Sequence, residues 1–197
     1  MVSSGWSTAC DAIQIHLLFL RGLCGSSLPV TETTSPVFDQ LFDYRTRLLA
    51  RLESQPAEAA AMLAAFPEPE WYRPRGSDGR SRHRLAAHVR DVESMAFLPR
   101  LRRILNEERP ELESFRSHDW SDDDYQPGEP MTHILAGWSQ ARAEVLDLLP
   151  TPAAAAWGRT GFHPPSGQRT LQWWAERIYD HARQHLLEGG AARARRA

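Results

Sequence analysis

Four apolar stripes at helical spacing, set apart by segments rich in proline and glycine, constrain this chain more than any other feature. Val37, Leu41, Tyr44, Leu48 and Leu52 recur with the period of a helix face turned to a core. Leu85, Val89, Val92 and Ala96 form a second series, continued by Leu101, Ile104 and Leu105. Ile134, Trp138, Ala141, Val145 and Leu148 form a third, and Trp174 with Ile178 begins a fourth. No segment shows a convincing run of period-two alternation, so no strand is expected. Helices with one wide apolar face each must bury those faces against one another. The expected fold is all-α, a four-helix bundle with long connecting loops.

Capping signals place the helices. Ser35-Pro36 reads as an N-cap followed by proline at the first helical position, opening a helix through Ser54. Pro56–Phe66 is expected to continue as a separate short helix, and the stretch from Pro67 to Gly79 as a loop. Ser81 caps a second long helix that reaches Asn106, with Pro99 expected to kink or divide it. The connection Glu107–Glu129 is long for a compact domain, which favours a functional loop over mere linkage. Pro130 opens the third helix; Thr170 caps the fourth, which runs to Glu188 with Gly189 placed to close it. The bundle thus occupies 36–189, with a poorly ordered extension at 1–35 and a flexible tail at 190–197. Within the extension, the apolar run Ala12–Leu20 is too short to span a bilayer and lacks the basic start of a signal peptide.

Composition narrows the partners. With 23 basic against 25 acidic residues and a net charge of −2, nothing calls for nucleic acid. Every basic residue is Arg and none is Lys. Beside the many alanines, this looks like the codon bias of a GC-rich genome, so arginine clusters are weak evidence for an anion site. Cys10 and Cys24 are the only cysteines and both precede the bundle, which fits a reduced, cytoplasmic setting.

The histidines carry the chemistry. At roughly 100° per residue, Trp174, Ile178, His181 and His185 share an arc of about 60°. The two imidazoles therefore stack one turn apart on the core-facing stripe, where they can chelate one divalent ion. A hydrogen-bonded, inert pair at the bundle edge is the competing reading. His88, beside Leu85 and Val92, also points inward. Three converging imidazoles would leave coordination positions open for water or substrate, as catalytic sites do. The zinc-protease motif is excluded because Ala182, not Glu, follows His181, and no Glu-x-x-His pair supports a di-iron bundle.

His163 lies in a Pro/Gly loop from which it could reach the open side of such a site, or could serve only to stabilise the loop. Glu93 is rotated away from the direction of His88, so a structural hydrogen bond or salt bridge is expected of it. Arg142 could hold an acidic substrate or pair internally with Glu93; the internal pair is favoured. His83, His118 and His133 are expected at the surface or in loops. Trp173 is large enough for core and could also sit at an interface.

The stretch Leu85-Ala-Ala-His88-Val-Arg-Asp-Val-Glu93, then His163-Pro164 through Gly167 and Thr170, then Asp180-His181-Ala-Arg-Gln-His185-Leu186, resembles the DinB-like family, and within it the YfiT-like branch. The likeness spans Val37 to Leu187 in the right order, with Trp71 and Arg142 also at similar positions. It implies a four-helix bundle with His88, His181 and His185 as metal ligands, and a bacterial, cytoplasmic protein. Some relatives transfer low-molecular-weight thiols such as bacillithiol or mycothiol. The resemblance therefore implies a divalent metal ion (Zn, Ni or Fe), a thiol cofactor and a small-molecule substrate. Neither nucleic acid nor membrane is expected as a partner, and a homodimer is allowed. Two functions stay open: a metal-dependent thiol transferase using a thiol or water as nucleophile, and a non-catalytic metal- or ligand-binding bundle in stress response.

Overall fold

The structure, a computed structural model, describes residues 36–75, 79–114 and 125–187. The expectations for residues 1–35, for the tail 190–197, for Gly189 and for His118 lie outside these segments.

Four long helical rods form the bundle. The first is α1 (Pro36–Ala64), followed by a single helical turn, α2 (Glu68–Trp71), inside the stretch expected to be a loop. The second rod is α3 (Arg82–Val92), a π-helical turn over Glu93–Phe97, and α4 (Leu98–Asn106). The third is α5 (Met131–Leu148); the fourth is α6 (Leu171–Ala182) with a π-helical turn over Arg183–Leu187. The rods pack α1 on α5 and α6, and α3 on α5 and on the end of the fourth rod. No described helix is long and apolar enough to cross a membrane. The caps follow the expected chemistry: Ser81 accepts from the amide of Arg84 at 3.2 Å and Thr170 from that of Trp173 at 3.2 Å.

Three expectations need correction. First, α1 does not break at Pro56. A proline there has no N–H to offer the carbonyl of Leu52 four residues back. In its place Arg142 Nη1 donates to that carbonyl at 2.7 Å, so the helix continues with the acceptor satisfied.

Second, Pro99 neither ends nor divides the second rod. The π turn just before it takes up an extra residue, with the amide of Leu98 donating back to Glu93 O.

Third, a two-stranded antiparallel hairpin is present, β1 (Thr160–His163) and β2 (Gly167–Thr170). Each strand is four residues long, too short to show alternation. Gly167, at φ +75°, supplies the turn conformation that other residues resist. The hairpin presses on α4 so closely that a Cβ on Gly161 would lie 2.9 Å from Leu112 Cδ1 and 3.1 Å from Ile104 Cγ1. The carbonyl of Phe162 accepts from Leu112 N, and its amide donates to Pro110 O, so the connection after α4 is stitched to the hairpin.

The core is aromatic at its centre, with Trp138, Trp157 and Trp174 fully buried. Beside it runs one polar network. Glu93 accepts from Arg142 Nε at 2.5 Å and Nη2 at 2.8 Å, and from Trp138 Nε1 at 2.7 Å. Arg142 also reaches Gln55 Oε1 at 3.0 Å, and Gln55 donates to Tyr179 O at 2.9 Å. This network ties α1, the first π turn, α5 and α6 together, with the charges paired as burial requires.

Candidate metal centre

His88 comes from the middle of α3, His181 from the last turn of α6, and His185 from the π turn that continues it. Their ring centroids lie 5.2 Å (His88–His181), 4.9 Å (His88–His185) and 4.7 Å (His181–His185) apart. One ring nitrogen from each can be chosen so that all three lie within 4.8 Å of one another. Metal–imidazole bonds of about 2 Å put ligand nitrogens a little over 3 Å apart around one ion, a distance that small side-chain rotations reach.

Protonation favours the same use. Burial, and then the neighbouring charge of His185, push His88 down to about 4 and His181 down to about 2. Arg80 adds to the effect at His88, and His88 and Arg177 add to it at His181. Both imidazoles are therefore neutral at pH 7, with a lone pair available to a cation. The donor set fits a divalent metal ion. It supplies three imidazole nitrogens, and the cluster contains no carboxylate or thiolate among the described residues.

The triad forms the floor of a cleft of about 360 Å³. Phe97, Trp173 and Trp174 make its apolar walls, and Phe97 packs edge-on against His181 at 5.4 Å. His163, at the end of β1, lines the same cleft and stands edge-on to Trp174 at 5.3 Å. Its Nδ1 is 3.1 Å from Ser166 Oγ. Burial, helped by the charge of Arg100, lowers its pKa.

Glu93 and Arg142 are placed elsewhere. They pair with each other inside the bundle and do not line the cleft. His83 is not at the surface: it is fully buried, bonded to Tyr125 Oη and to the carbonyl of Glu129, each at 2.7 Å. His133 is exposed, as expected. Trp173 is half-buried at the cleft wall.

The sequence reading missed the charged lining, made of Arg80, Arg100 and Arg177. Arg177 was findable, since it precedes His181 by four residues and so shares its face.

A helical bundle with a three-histidine cluster lining a cleft defines the class. The chain belongs to the DinB superfamily, whose pattern matches residues 37–188. A similar solved structure is that of YfiT from Bacillus subtilis, described as a probable metal-dependent hydrolase with an unusual four-helix bundle topology. It is 18% identical, with a TM-score of 0.60 over 86% of this chain and 94% of that one. No protein of curated function matches the sequence.

Proposed function

We propose that this protein is a metal-dependent enzyme acting on a small molecule, with His88, His181 and His185 as the metal ligands. The reading rests on one observation: three ring nitrogens converge on the floor of a cleft large enough for a substrate. A closed structural site would surround its ion with four protein ligands, whereas three leave a position for the reactant. The description of YfiT as a probable metal-dependent hydrolase supports the same reading.

A divalent ion held there would lower the pKa of a bound thiol or water and so provide the nucleophile, making a low-molecular-weight thiol a fitting cofactor. No cysteine is among the described residues that line the cleft. Phe97, Trp173 and Trp174 shelter the reacting atoms from bulk water and pack against the apolar part of the substrate. His163 has a lowered pKa and can hold or pass a proton within the cleft. The natural setting is the reducing cytoplasm of a bacterium.

Metal analysis of untagged protein tests the ligand set. About one equivalent of Zn, Ni or Fe is expected, and it is lost in both His88→Ala and His185→Ala. A protein that takes up no divalent ion refutes the reading. The reaction is tested by incubating zinc-loaded protein with a thiol and monochlorobimane, and separately with activated esters. Thiol conjugation faster than in the triple-alanine variant indicates transfer; ester cleavage without it indicates hydrolysis. If neither exceeds the triple-alanine background, the protein is a non-catalytic metal-binding bundle.

A further inference from the structure

Every charged residue that lines the cleft is an arginine: Arg80, Arg100 and Arg177, with no Asp or Glu among the described lining residues. The absence of lysine from the whole chain explains why these cations are arginines. It does not explain the sign, because acidic residues outnumber basic ones overall, 25 to 23.

Several arginines outside the cleft meet carboxylates, while Arg45, Arg82 and Arg159 donate to neutral oxygens. Arg142 pairs with Glu93, Arg90 with Asp91 and Glu129, Arg102 with Glu144, and Arg103 with Glu107. Arg100 and Arg177 do not. Arg100 Nε and Nη2 donate to the neutral carbonyl of Glu113, at 3.1 and 2.7 Å. Arg177 Nη1 donates to the amide oxygen of Gln184 at 3.4 Å. Neither forms a salt bridge among the described residues. Glu113 lines an adjoining groove together with Arg100 and Arg103, and its charge favours the protonated Arg100 without forming a salt bridge to it.

Arg100 is only 8% exposed, so its charge is held largely out of water without a counter-charge at contact. Such burial is unfavourable unless something else satisfies it. The guanidinium is also pre-positioned, lying 5.1 Å from the Trp174 ring while the Glu113 carbonyl holds one edge.

A second observation points to the same ligand. Two nitrogens on the cleft residues, His163 Nε2 and Trp174 Nε1, are buried without a hydrogen-bond partner. His163 is 8% exposed and Trp174 2%. Indole N–H can only donate. The His163 Nδ1–Ser166 Oγ contact accepts either tautomer; in the one where the Ser166 hydroxyl donates, Nε2 carries the proton and donates too. In that tautomer both nitrogens are suited to an acceptor, as are the guanidiniums.

We infer that the cleft selects a small oxyanion substrate whose carboxylate or phosphate is bound by Arg100 and Arg177, with the reactive group toward the histidines. The inference rests on the reading of the cleft as a metal-dependent reaction site, and it names that site's substrate class. Guanidinium recognises carboxylate and phosphate alike through paired N–H donors, so both sources share this chemistry.

The test uses the full chain in two states, freed of metal by chelation and dialysis, and loaded with zinc. Succinate, inorganic phosphate and uncharged succinamide are titrated against each, followed by the fluorescence of the cleft tryptophans and by calorimetry. The expected result is at least roughly tenfold tighter binding of succinate or phosphate than of succinamide, already in the metal-free protein. Arg100→Gln and Arg177→Gln should each weaken the oxyanion about tenfold and leave succinamide unchanged. Should Arg100→Gln fail to fold, the half-buried Arg177→Gln carries the comparison. Succinate and phosphate arms that differ tell which oxyanion is preferred, and either one supports the inference. Equal binding of charged and uncharged probes, or arginine variants that bind as tightly as the parent, overturns it. Oxyanion binding without zinc uptake refutes the metal reading alone; zinc uptake without oxyanion preference refutes this inference alone.

Discussion

Arg142 does the work of a missing backbone hydrogen bond, and this can be measured. Its Nη1 donates to Leu52 O, the carbonyl that Pro56 cannot reach, while Nε and Nη2 fork onto Glu93. Arg142→Lys keeps a positive charge beside the buried carboxylate, so Glu93 is not stranded. A single ammonium cannot span both acceptors, however, and Leu52 O is left without its donor. A hydrogen bond to a charged group contributes about 1.5–3 kcal/mol, and an unsatisfied buried carbonyl costs about 1–3 kcal/mol. Taken with their overlap, these give a loss of about 3 kcal/mol, or roughly 6–12 °C in Tm for a chain of this size. Pro56→Ala restores an N–H four residues after Leu52. Its benefit must therefore be larger in the Arg142→Lys background than in the parent, by about 1–3 kcal/mol. Urea denaturation of the four proteins closes the cycle. A Pro56→Ala effect that is the same in both backgrounds, within about 0.5 kcal/mol, refutes the claim that Arg142 substitutes for the proline's missing donor.

Metal-free protein should lose stability as pH falls below about 6.5, the value of an unfolded imidazole. His88 and His181 stay neutral in the fold, at about 4 and about 2, so below 6.5 the unfolded chain binds more protons. Their contribution is complete above 6.5, is lost towards 4 for His88, and continues to be lost towards 2 for His181. The two together amount to about 3 kcal/mol per pH unit once both titrate in the unfolded state. Chemical denaturation at about pH 7.5 and about pH 5 checks this, and a His88→Asn variant with an undiminished slope would count against it. Zinc at about one hundred times its dissociation constant should stabilise the parent by about 2.7 kcal/mol, seen as a rise in Tm that chelation reverses and that His185→Ala lacks. Gly161→Val should destabilise by about 1–3 kcal/mol through collision with Leu112 and Ile104. A Tm unchanged by that substitution would mean the hairpin does not press on α4.

What the sequence disclosed about fold and site follows from which physical rule governs each part. The four rods were legible because burying an apolar face imposes a period of 3.6 that Leu48, Leu52, Ile134, Trp138, Trp174 and Ile178 all obey. The convergence of His181 and His185 was legible for the same reason, and His88 because it lies beside Val92. The continuous α1 was not, since the donor that replaces the Pro56 amide comes from Arg142, 86 residues further on, and no local rule reaches that far. His83 misled because its burial depends on Tyr125 and Glu129, across a long connection. Arg100 was hidden by helix geometry itself. Twelve residues after His88, at roughly 100° each, it should stand about 120° off the histidine face. The π turn over Glu93–Phe97 absorbs one residue. The effective separation becomes eleven, and the offset shrinks to about 20°. The same turn sets Phe97 against His181 and presents Glu93 to Arg142. One extra residue in the second rod thus aligns the cationic wall of the cleft with its histidine floor, while the buried ion pair holds that turn in place from behind.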